Sequence, residues 1–404
     1  MKRARLWSLM LCGAIAAVGA CASGGALLGP RAQVPEELRQ PLEYVQSSQP
    51  HAFVRGLRTK SLELRPGPVD GVTLPDSDGS DALFAKWPTP LAPEGFLWVA
   101  LTRQTKDGVY NTLSLDADGN GVLDDNETVT DGSANGGGAR FERVPVTSHE
   151  QRDAAPYEIT FRYARRDGES LLYVWAGGWH EGTITVDGKE KFCAVVDNNA
   201  NGRFDDRSID FAECDLIQIA ERGARDVCLV GEFIQVDEIL YRLTVAPDGS
   251  YVALDSPGRV RFGALRVPEE ITEIIVAGEN GMLDLKPEEG VAEVPVGSYR
   301  VYQWIAERTD DNGDAWRLKA HSMGNPEILE VTASGEIRPN VGAPITSTLN
   351  VRSRDGVYRM SHVLQGQPGE RIQLTRNGAA LMPPKICICN AAGSYDRTFA
   401  FRRG

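Results

Sequence analysis

The surrounding chain is organised around Asp116-Ala117-Asp118-Gly119-Asn120-Gly121-Val122-Leu123-Asp124-Asp125-Asn126-Glu127. Oxygen-bearing side chains occupy the first, third, fifth, ninth and twelfth places of this stretch: Asp116, Asp118, Asn120, Asp124 and Glu127. A calcium ion takes about six to eight oxygen ligands at roughly 2.3 to 2.6 Å, and a loop that curls around the ion turns these places inwards. The spacing matches the pattern D-x-[DN]-x-[DN]-G-x5-E completely. The sequence therefore predicts a calcium site in residues 116–127.

The other residues of this loop fit the same chemistry. Gly121 stands where the chain must turn sharply, Val122 would supply its backbone carbonyl, and Glu127 is long enough to give both carboxylate oxygens. Clusters of Asp, Asn and Gly also form ordinary hairpin turns. Such a turn requires neither Glu127 nor the spacing, so a metal site is the favoured interpretation.

A predicted strand, Val109 to Leu115, leads directly into the loop, and it places Val109, Leu113 and Leu115 on one face. The loop is therefore entered from a strand and not from the helix of a true EF-hand. It resembles the strand-entered, EF-hand-like calcium loops of extracellular bacterial proteins. The resemblance implies that calcium fixes a loop to a sheet, because the two-helix lever of a calcium sensor is missing.

A second loop of similar pattern spans residues 197–208, and its first residue lies 81 positions after Asp116. The predicted ligands are Asp197, Asn199, Asn201, the carbonyl of Arg203, and Asp205. The twelfth place is Ser208, which cannot bind through two oxygens, although Asp210 could replace it. Fewer carboxylates predict weaker binding than in the first loop. A purely structural turn rich in Asp and Asn is the alternative.

The N-terminus has the features of a targeting segment. Basic residues precede an apolar run from Leu6 to Ala20, which is too short to span a bilayer. The run ends at Val18-Gly19-Ala20-Cys21, which resembles the lipobox of bacterial lipoproteins. The resemblance implies cleavage before Cys21, acylation of Cys21 and a stable membrane anchor, because two or three acyl chains hold far better than one. Ala22, where an inner-membrane retention signal has Asp, points to the outer membrane. An ordinary secretory signal is the alternative.

Short alternating apolar runs separated by Gly, Pro and Asp dominate the chain, and helical periodicity is rare. This pattern predicts a mostly β fold of antiparallel sheets and β-sandwich domains. We expect a signal peptide over residues 1–20, a tether over 21–52, a β-rich region with both loops over 53–254, and a β-sandwich over 255–404. In the last of these, Val294-Pro295-Val296-Gly297-Ser298-Tyr299-Arg300-Val301 resembles the proline-and-glycine turn of carboxypeptidase-regulatory-like and transthyretin-like domains.

The formal net charge is −13. An acidic surface repels nucleic-acid phosphates and attracts divalent cations, which argues against a nucleic-acid partner. The cysteines after Cys21 are Cys193, Cys214, Cys228, Cys387 and Cys389. Some can pair in an oxidising compartment, Cys214 with Cys228 being the nearest pair with a sensible loop, but the connectivity stays open. Cys387 and Cys389 share one face of a strand, where burial as small apolar residues is favoured over a metal or redox pair.

Motifs that would identify a reaction are missing from the sequence. The five histidines stand far apart, and there is no H-E-x-x-H, phosphate-binding loop or G-x-S-x-G elbow. Scattered residues can still assemble a site, so an enzyme is disfavoured without being ruled out. Candidates for stacking on sugar rings are Trp87, Trp98, Trp175, Trp179, Trp304 and Trp316, although most tryptophans in β-sheets are core residues.

These features together predict a lipid-anchored, calcium-binding structural or binding protein of the bacterial cell envelope. Its partners would be membrane lipid through Cys21 and a further envelope polysaccharide or protein. Two alternatives remain. A hydrolase acting on envelope polysaccharide would need paired carboxylates in a cleft, and a carbohydrate-binding or adhesion module would expose coplanar aromatic rings.

Overall fold

The structure is a computed structural model that describes residues 34–46, 59–75, 79–103, 105, 108–135, 137–146, 157–166, 168–222, 224, 227–324 and 326–401. These residues form β-strands joined by turns, with 3-10 helices at Glu36–Leu38 and Asp125–Glu127 and no α-helix among them. Neighbouring strands pair antiparallel almost throughout. The predicted mostly β, sandwich-like fold is thereby confirmed.

The strands are numbered along the chain. The first group is β1 (Gln40–Pro41), β2 (Glu43–Gln46), β3 (Lys60–Leu62), β4 (Arg65–Pro66), β5 (Leu83–Pro88), β6 (Phe96–Thr102), β7 (Thr112–Leu115), β8 (Thr128–Thr130), β9 (Gly138–Val146), β10 (Tyr157–Arg166) and β11 (Glu169–Ala176). The second is β12 (Gly178–Val186), β13 (Lys189–Val196), β14 (Leu216–Ala220), β15 (Cys228–Leu229), β16 (Phe233–Val236), β17 (Ile239–Val245) and β18 (Tyr251–Asp255). The third is β19 (Phe262–Arg266), β20 (Ile271–Gly278), β21 (Gly281–Leu285), β22 (Val291–Pro295), β23 (Gly297–Thr309), β24 (Ala315–His321), β25 (Leu329–Val331), β26 (Glu336–Ile337), β27 (Thr346–Arg354), β28 (Val357–Gln365), β29 (Arg371–Arg376), β30 (Ala379–Ala380), β31 (Lys385–Cys389) and β32 (Asp396–Ala400).

A first sandwich is built from two sheets, with strand orders β4-β5-β6-β7-β8 and β3-β11-β10-β9. Their facing sides bury one core that includes Trp87, Val99, Phe141 and Phe161. Successive side chains of a strand point to opposite faces, so alternating apolar residues of β10 turn into this core. The β7–β8 hairpin forms one edge of the first sheet and carries the loop of residues 116–127.

A second sandwich contains the sheets β15-β14-β13-β12-β2 and β1-β18-β17-β16. Its core includes Cys193, Val195, Ile217 and Val252. Residues 40–46 lie in the range predicted as a tether, yet they form β1 and β2, the edge strands of these two sheets. Leu42, between the two strands, is buried in the core with 6% of its surface exposed. Three apolar or aromatic residues, Leu42, Tyr44 and Val45, in a short polar stretch were too weak a signal to predict this.

The third sandwich follows β18 and packs the sheet β22-β19-β26 against the long sheet β21-β20-β23-β24-β29-β28-β27. Both sheets contribute to its core, for example through Leu265, Val294, Tyr299 and Trp304. Backbone hydrogen bonds join it to the second sandwich, because the Phe233 amide donates to the Asn280 carbonyl at 3.0 Å. Residues 53–254, predicted as one β-rich region, therefore contain most of two hydrophobic cores, and residues 255–404, predicted as a β-sandwich, contain one.

The cysteines occupy two different environments. Cys193 and Cys214 are buried, and burial raises the pKa of both thiols, Cys214 to about 12. Cys387 and Cys389 are exposed on the separate β31–β32 hairpin, so the prediction that they are buried is wrong. That hairpin pairs with no other sheet among the described residues and buries neither face completely.

The role of Leu42 can be tested by substitution. Leu42→Ala should lower the free energy of unfolding by about 2–5 kcal/mol, because it removes buried methyl groups and leaves a cavity. Ile239→Ala is the matched control, since Ile239 lies in β17 of the same sandwich but is 50% exposed, and it should change stability by no more than about 0.5 kcal/mol. Urea denaturation followed by tryptophan fluorescence measures both. Equal effects would mean that residues 40–46 do not belong to the core.

Candidate metal centre

The loop of residues 116–127 connects β7 to β8, whose register pairs Ser114 with Thr128. It is attached to a second segment of the first sandwich: the Thr73 amide donates to the Gly121 carbonyl at 2.8 Å, and the Leu123 amide donates to the Thr73 carbonyl at 3.0 Å. Gly121 has φ +79°, and a Cβ there would lie 2.5 Å from the Gly71 carbonyl oxygen. Only glycine therefore fits at this turn.

Three carboxylates of this loop converge on one point. Asp116, Asp118 and Glu127 each offer a ligand atom, and these atoms lie within 4.8 Å of one another. Asp116 is 3% exposed, whereas Asp118 is exposed and Glu127 is half-buried. Such a group could hold a metal ion. It is the one cluster of at least three His, Cys, Asp or Glu ligands found among the described residues.

The other three predicted ligands have different surroundings. Asn120 Oδ1 accepts from the Val122 amide at 2.6 Å, which closes the turn. The Val122 residue itself pairs with Thr73 in an isolated bridge. Asp124 is exposed and does not join the cluster of three carboxylates. The structure thus brings together three of the four carboxylates predicted for this site, and the Asn120 amide also donates to Asp118 Oδ2 at 2.8 Å.

Glu127 holds the two ends of the loop together. Its Oε1 accepts from the amides of Ala117 at 2.8 Å and Asp118 at 3.3 Å. Its Oε2 accepts from the Asp124 amide at 3.2 Å. The 3-10 turn Asp125–Glu127, which forms the end of the loop, positions this side chain. The twelfth residue therefore reaches back across the loop, as the spacing predicts.

Asp116 carries an unsatisfied oxygen. Its Oδ2 accepts from the Gly121 amide at 3.1 Å, but its buried Oδ1 has no hydrogen-bond donor among the described residues. Burial raises the pKa of the Asp116 and Glu127 carboxyl groups. A carboxyl group whose pKa is higher in the folded chain binds protons better when folded, so the loop loses stability as the pH rises above the ordinary carboxyl range. A bound cation would reverse that loss.

The second loop, residues 197–208, is satisfied mainly by its own hydrogen bonds. Asp197 is fully buried, and its Oδ2 accepts from the Tyr157 hydroxyl and the Gly202 amide, each at 2.7 Å. Asp205 is bound by the Arg203 guanidinium through contacts of 2.9 and 3.1 Å. Asn201 donates its side-chain amide to Asp206 at 2.7 Å. The predicted side-chain ligands Asn201 and Asp205 therefore already have partners within the protein, whereas the bonded group of Arg203 is its guanidinium and not the carbonyl predicted as a ligand.

This second loop lies where the first and second sandwiches meet. Trp87 from β5 donates through Nε1 to the Ala200 carbonyl at 2.6 Å, and the Thr89 hydroxyl donates to the Asn201 carbonyl at 2.5 Å. Asp215, which follows the loop, is also fully buried. The sequence pattern ends at the twelfth place, so it could not identify Asp215 as part of this cluster.

The features expected of the two alternative functions are only partly present. Trp87, Trp179 and Trp304 are buried, and Trp98, Trp175 and Trp316 are half-buried, so these residues form no exposed aromatic row. A cavity of about 590 Å³ is lined by Glu269, Glu270 and Glu307, all exposed. A glycosidase acid is usually buried in apolar surroundings, whereas these three side chains are exposed to solvent. A larger cleft of about 990 Å³ near β28 and β31 is lined by aromatic residues such as Tyr358 and Phe399.

Comparison with models of known protein families, with curated proteins and with solved structures finds no match to this chain. None of the helices among the described residues has the length and apolar character needed to cross a membrane. The predicted signal peptide, the lipobox and Cys21 lie outside the described residues. The interpretation of the site therefore rests on its own geometry.

The close approach at Gly121 gives a sharp test of the loop. Gly121→Ala and Gly119→Ala both place a side chain at positive φ, which costs about 1 kcal/mol. At Gly119 the new Cβ would meet only Leu97 Cδ2 at 3.7 Å, whereas at Gly121 it would meet the Gly71 carbonyl oxygen at 2.5 Å. Thermal unfolding should show the larger loss of stability for Gly121→Ala. Equal losses would contradict the packing of the loop on residue 71.

Proposed function

We propose that this chain is a lipid-anchored, calcium-stabilised β protein of the cell envelope, and that residues 116–127 bind the calcium. One observation carries the metal proposal: three carboxylates converge within 4.8 Å, and the buried Oδ1 of one of them, Asp116, has no donor among the described residues. A buried acceptor without a partner costs free energy, and gathered negative charges repel one another. A cation removes both penalties.

The donor set favours calcium over other metals. All ligands offered by the loop are oxygens, from carboxylates, the Asn120 amide and backbone carbonyls. Zinc prefers nitrogen and sulfur ligands, and magnesium demands a rigid octahedron with several waters. Calcium accepts irregular sets of about six to eight oxygens, including a bidentate glutamate. Asp116, Asp118 and Glu127 would hold the ion, and Asn120, Val122 and Asp124 would complete the set.

The proposed ion has a structural role. Leu123 belongs to a small core with Ala82, Phe84 and Ala100, and the loop is bonded to Thr73. Calcium bound at this place would fix the β7–β8 hairpin and the segment around Thr73 to the first sandwich. An ion that binds only the folded chain stabilises it by about 2.7 kcal/mol when its concentration is about one hundred times Kd. The loop is flanked by the strands β7 and β8 and not by two helices that could open on binding, so a sensor role has no support.

The proposed location depends on Cys21. Acylation of this residue would attach the chain to the membrane, and residues 22–35 would then allow a reach of at most roughly 50 Å to the first described helix. Membrane lipid is the proposed partner, and the net charge of −13 argues against nucleic acid. The cleft between β28 and β31 is where an envelope polysaccharide or protein would bind as a further partner.

Glu127→Gln tests the first metal site. In the wild-type chain, calcium at about one hundred times Kd should slow proteolysis within residues 109–123 by up to about 100-fold, because cleavage requires opening of the loop. Glu127→Gln should abolish this calcium-dependent protection. Asp125→Asn, which neutralises the exposed neighbouring carboxylate, is the matched control and should retain it. Calcium-dependent protection that survives in Glu127→Gln would remove this site from the proposal.

Cys21→Ser tests the anchor. The variant should lose labelling by radioactive palmitate in cells and should not be cleaved before residue 21, because the serine cannot form the thioether. Cys12→Ser changes a cysteine of the predicted leader and should leave labelling unchanged. Palmitate labelling that persists in Cys21→Ser would contradict the lipoprotein assignment.

A further inference from the structure

Asp215 follows the second loop and makes the same kind of hydrogen bonds to it as Glu127 makes within the first loop. Glu127 accepts from the amide of the second loop residue, Ala117, and with its other oxygen from the amide of the ninth, Asp124. Asp215 accepts with Oδ1 from the second loop residue, Asn198, at 3.0 Å. Its Oδ2 accepts at 2.8 Å from Asp206, the tenth. Each carboxylate thus joins the beginning of its loop to the end.

The sheet places Asp215 beside Asp197. The last residue of β13, Val196, pairs with the first residue of β14, Leu216. Asp197 follows β13 and Asp215 precedes β14, so the two aspartates occupy neighbouring positions at the same end of two antiparallel strands. Residues opposite each other in such a ladder have Cα atoms about 4.5 to 5.5 Å apart. The connection of residues 198–214 therefore closes on itself and returns a carboxylate to the start of the loop.

Residues 197–215 contain more acidic than basic side chains. Asp197, Asp206 and Asp215 form an acidic cluster at the loop, and the Arg203 guanidinium pairs with the neighbouring Asp205. Asp197 and Asp215 are both fully buried. Buried carboxylates in this arrangement require protons or a cation.

Asn199 provides an independent sign of a ligand. It is only 5% exposed, and its Oδ1 has no hydrogen-bond donor among the described residues. Its Nδ2 donates to Asp206 Oδ2 at 3.1 Å, which places the side chain beside the acidic cluster. An amide oxygen is a common calcium ligand. A buried amide oxygen that has no donor among the described residues and lies beside carboxylates is the arrangement expected of a cation site.

We propose that the second loop binds its own divalent cation, calcium, with Asp197, Asn199 and Asp215 as side-chain ligands. Asp215 replaces the acidic residue that the loop lacks at its twelfth place, Ser208. This site is separate from residues 116–127 and does not depend on them. Because Tyr157 of the first sandwich donates to Asp197, the ion joins the first sandwich to the second. Asp210 lies in a local turn, where its Oδ1 accepts from the Ala212 amide, and it is not among the proposed ligands.

Isothermal titration calorimetry counts the ions. Calcium is titrated at neutral pH into the full chain, purified in detergent and stripped of metal with EDTA. The wild-type chain should bind two ions, and Asp215→Asn should bind one. Asp210→Asn, the matched control, should bind two. Glu127→Gln should also bind one, because it leaves the second loop intact.

The outcomes separate the two sites. One ion in the wild-type chain, retained by Asp215→Asn and lost by Glu127→Gln, overturns the second site and leaves the first. One ion retained by Glu127→Gln and lost by Asp215→Asn supports the second site and removes the first. If Asp215→Asn does not fold, the Glu127→Gln count decides: one remaining ion supports the proposal, and none overturns it.

Discussion

The cost of placing several carboxylates together in a partly buried loop is the constraint on which this account depends. Asp116 is almost entirely buried, and Asp118 and Glu127 meet it within 4.8 Å. Hydrogen bonds from backbone amides satisfy some of the carboxylate oxygens, but Asp116 Oδ1 has no donor among the described residues. A bound cation would neutralise the repulsion between these carboxylates. The acidic loop would then be a fixed connection between strands.

Both acidic loops occur where the β architecture needs a rigid connection. The first attaches the β7–β8 edge hairpin to the segment at Thr73. The second lies between two sandwiches and is bonded from the other side by Trp87 and Thr89. The described residues form three sandwiches with no α-helix among them, so loops help to hold these parts together. Ion-filled loops can do so with a small number of residues, and calcium outside the cytoplasm is abundant enough to fill them.

Much of the fold follows from local patterns in the sequence. Alternating apolar residues placed strands such as β10, and the spacing from Asp116 to Glu127 indicated the three carboxylates that meet, although Asp124, predicted with them, does not join the cluster. The failures came from tertiary contacts. Residues 40–46 form edge strands because other strands offer them open edges, and Asp215 reaches the second loop through the pairing of β13 with β14. Neither effect is visible in a short window of sequence. Cys387 and Cys389 are exposed on a hairpin that pairs with no other sheet among the described residues.

The most direct test of the central claim is hydrogen exchange of the full chain in detergent, with and without calcium. The amides that Asp116 and Glu127 accept from, those of Ala117, Asp118, Gly121 and Asp124, report the closure of the loop individually. If calcium binds at residues 116–127, it should slow exchange at these four amides, and magnesium at the same concentration should do so far less. Exchange at these amides that is unchanged by calcium would contradict this claim.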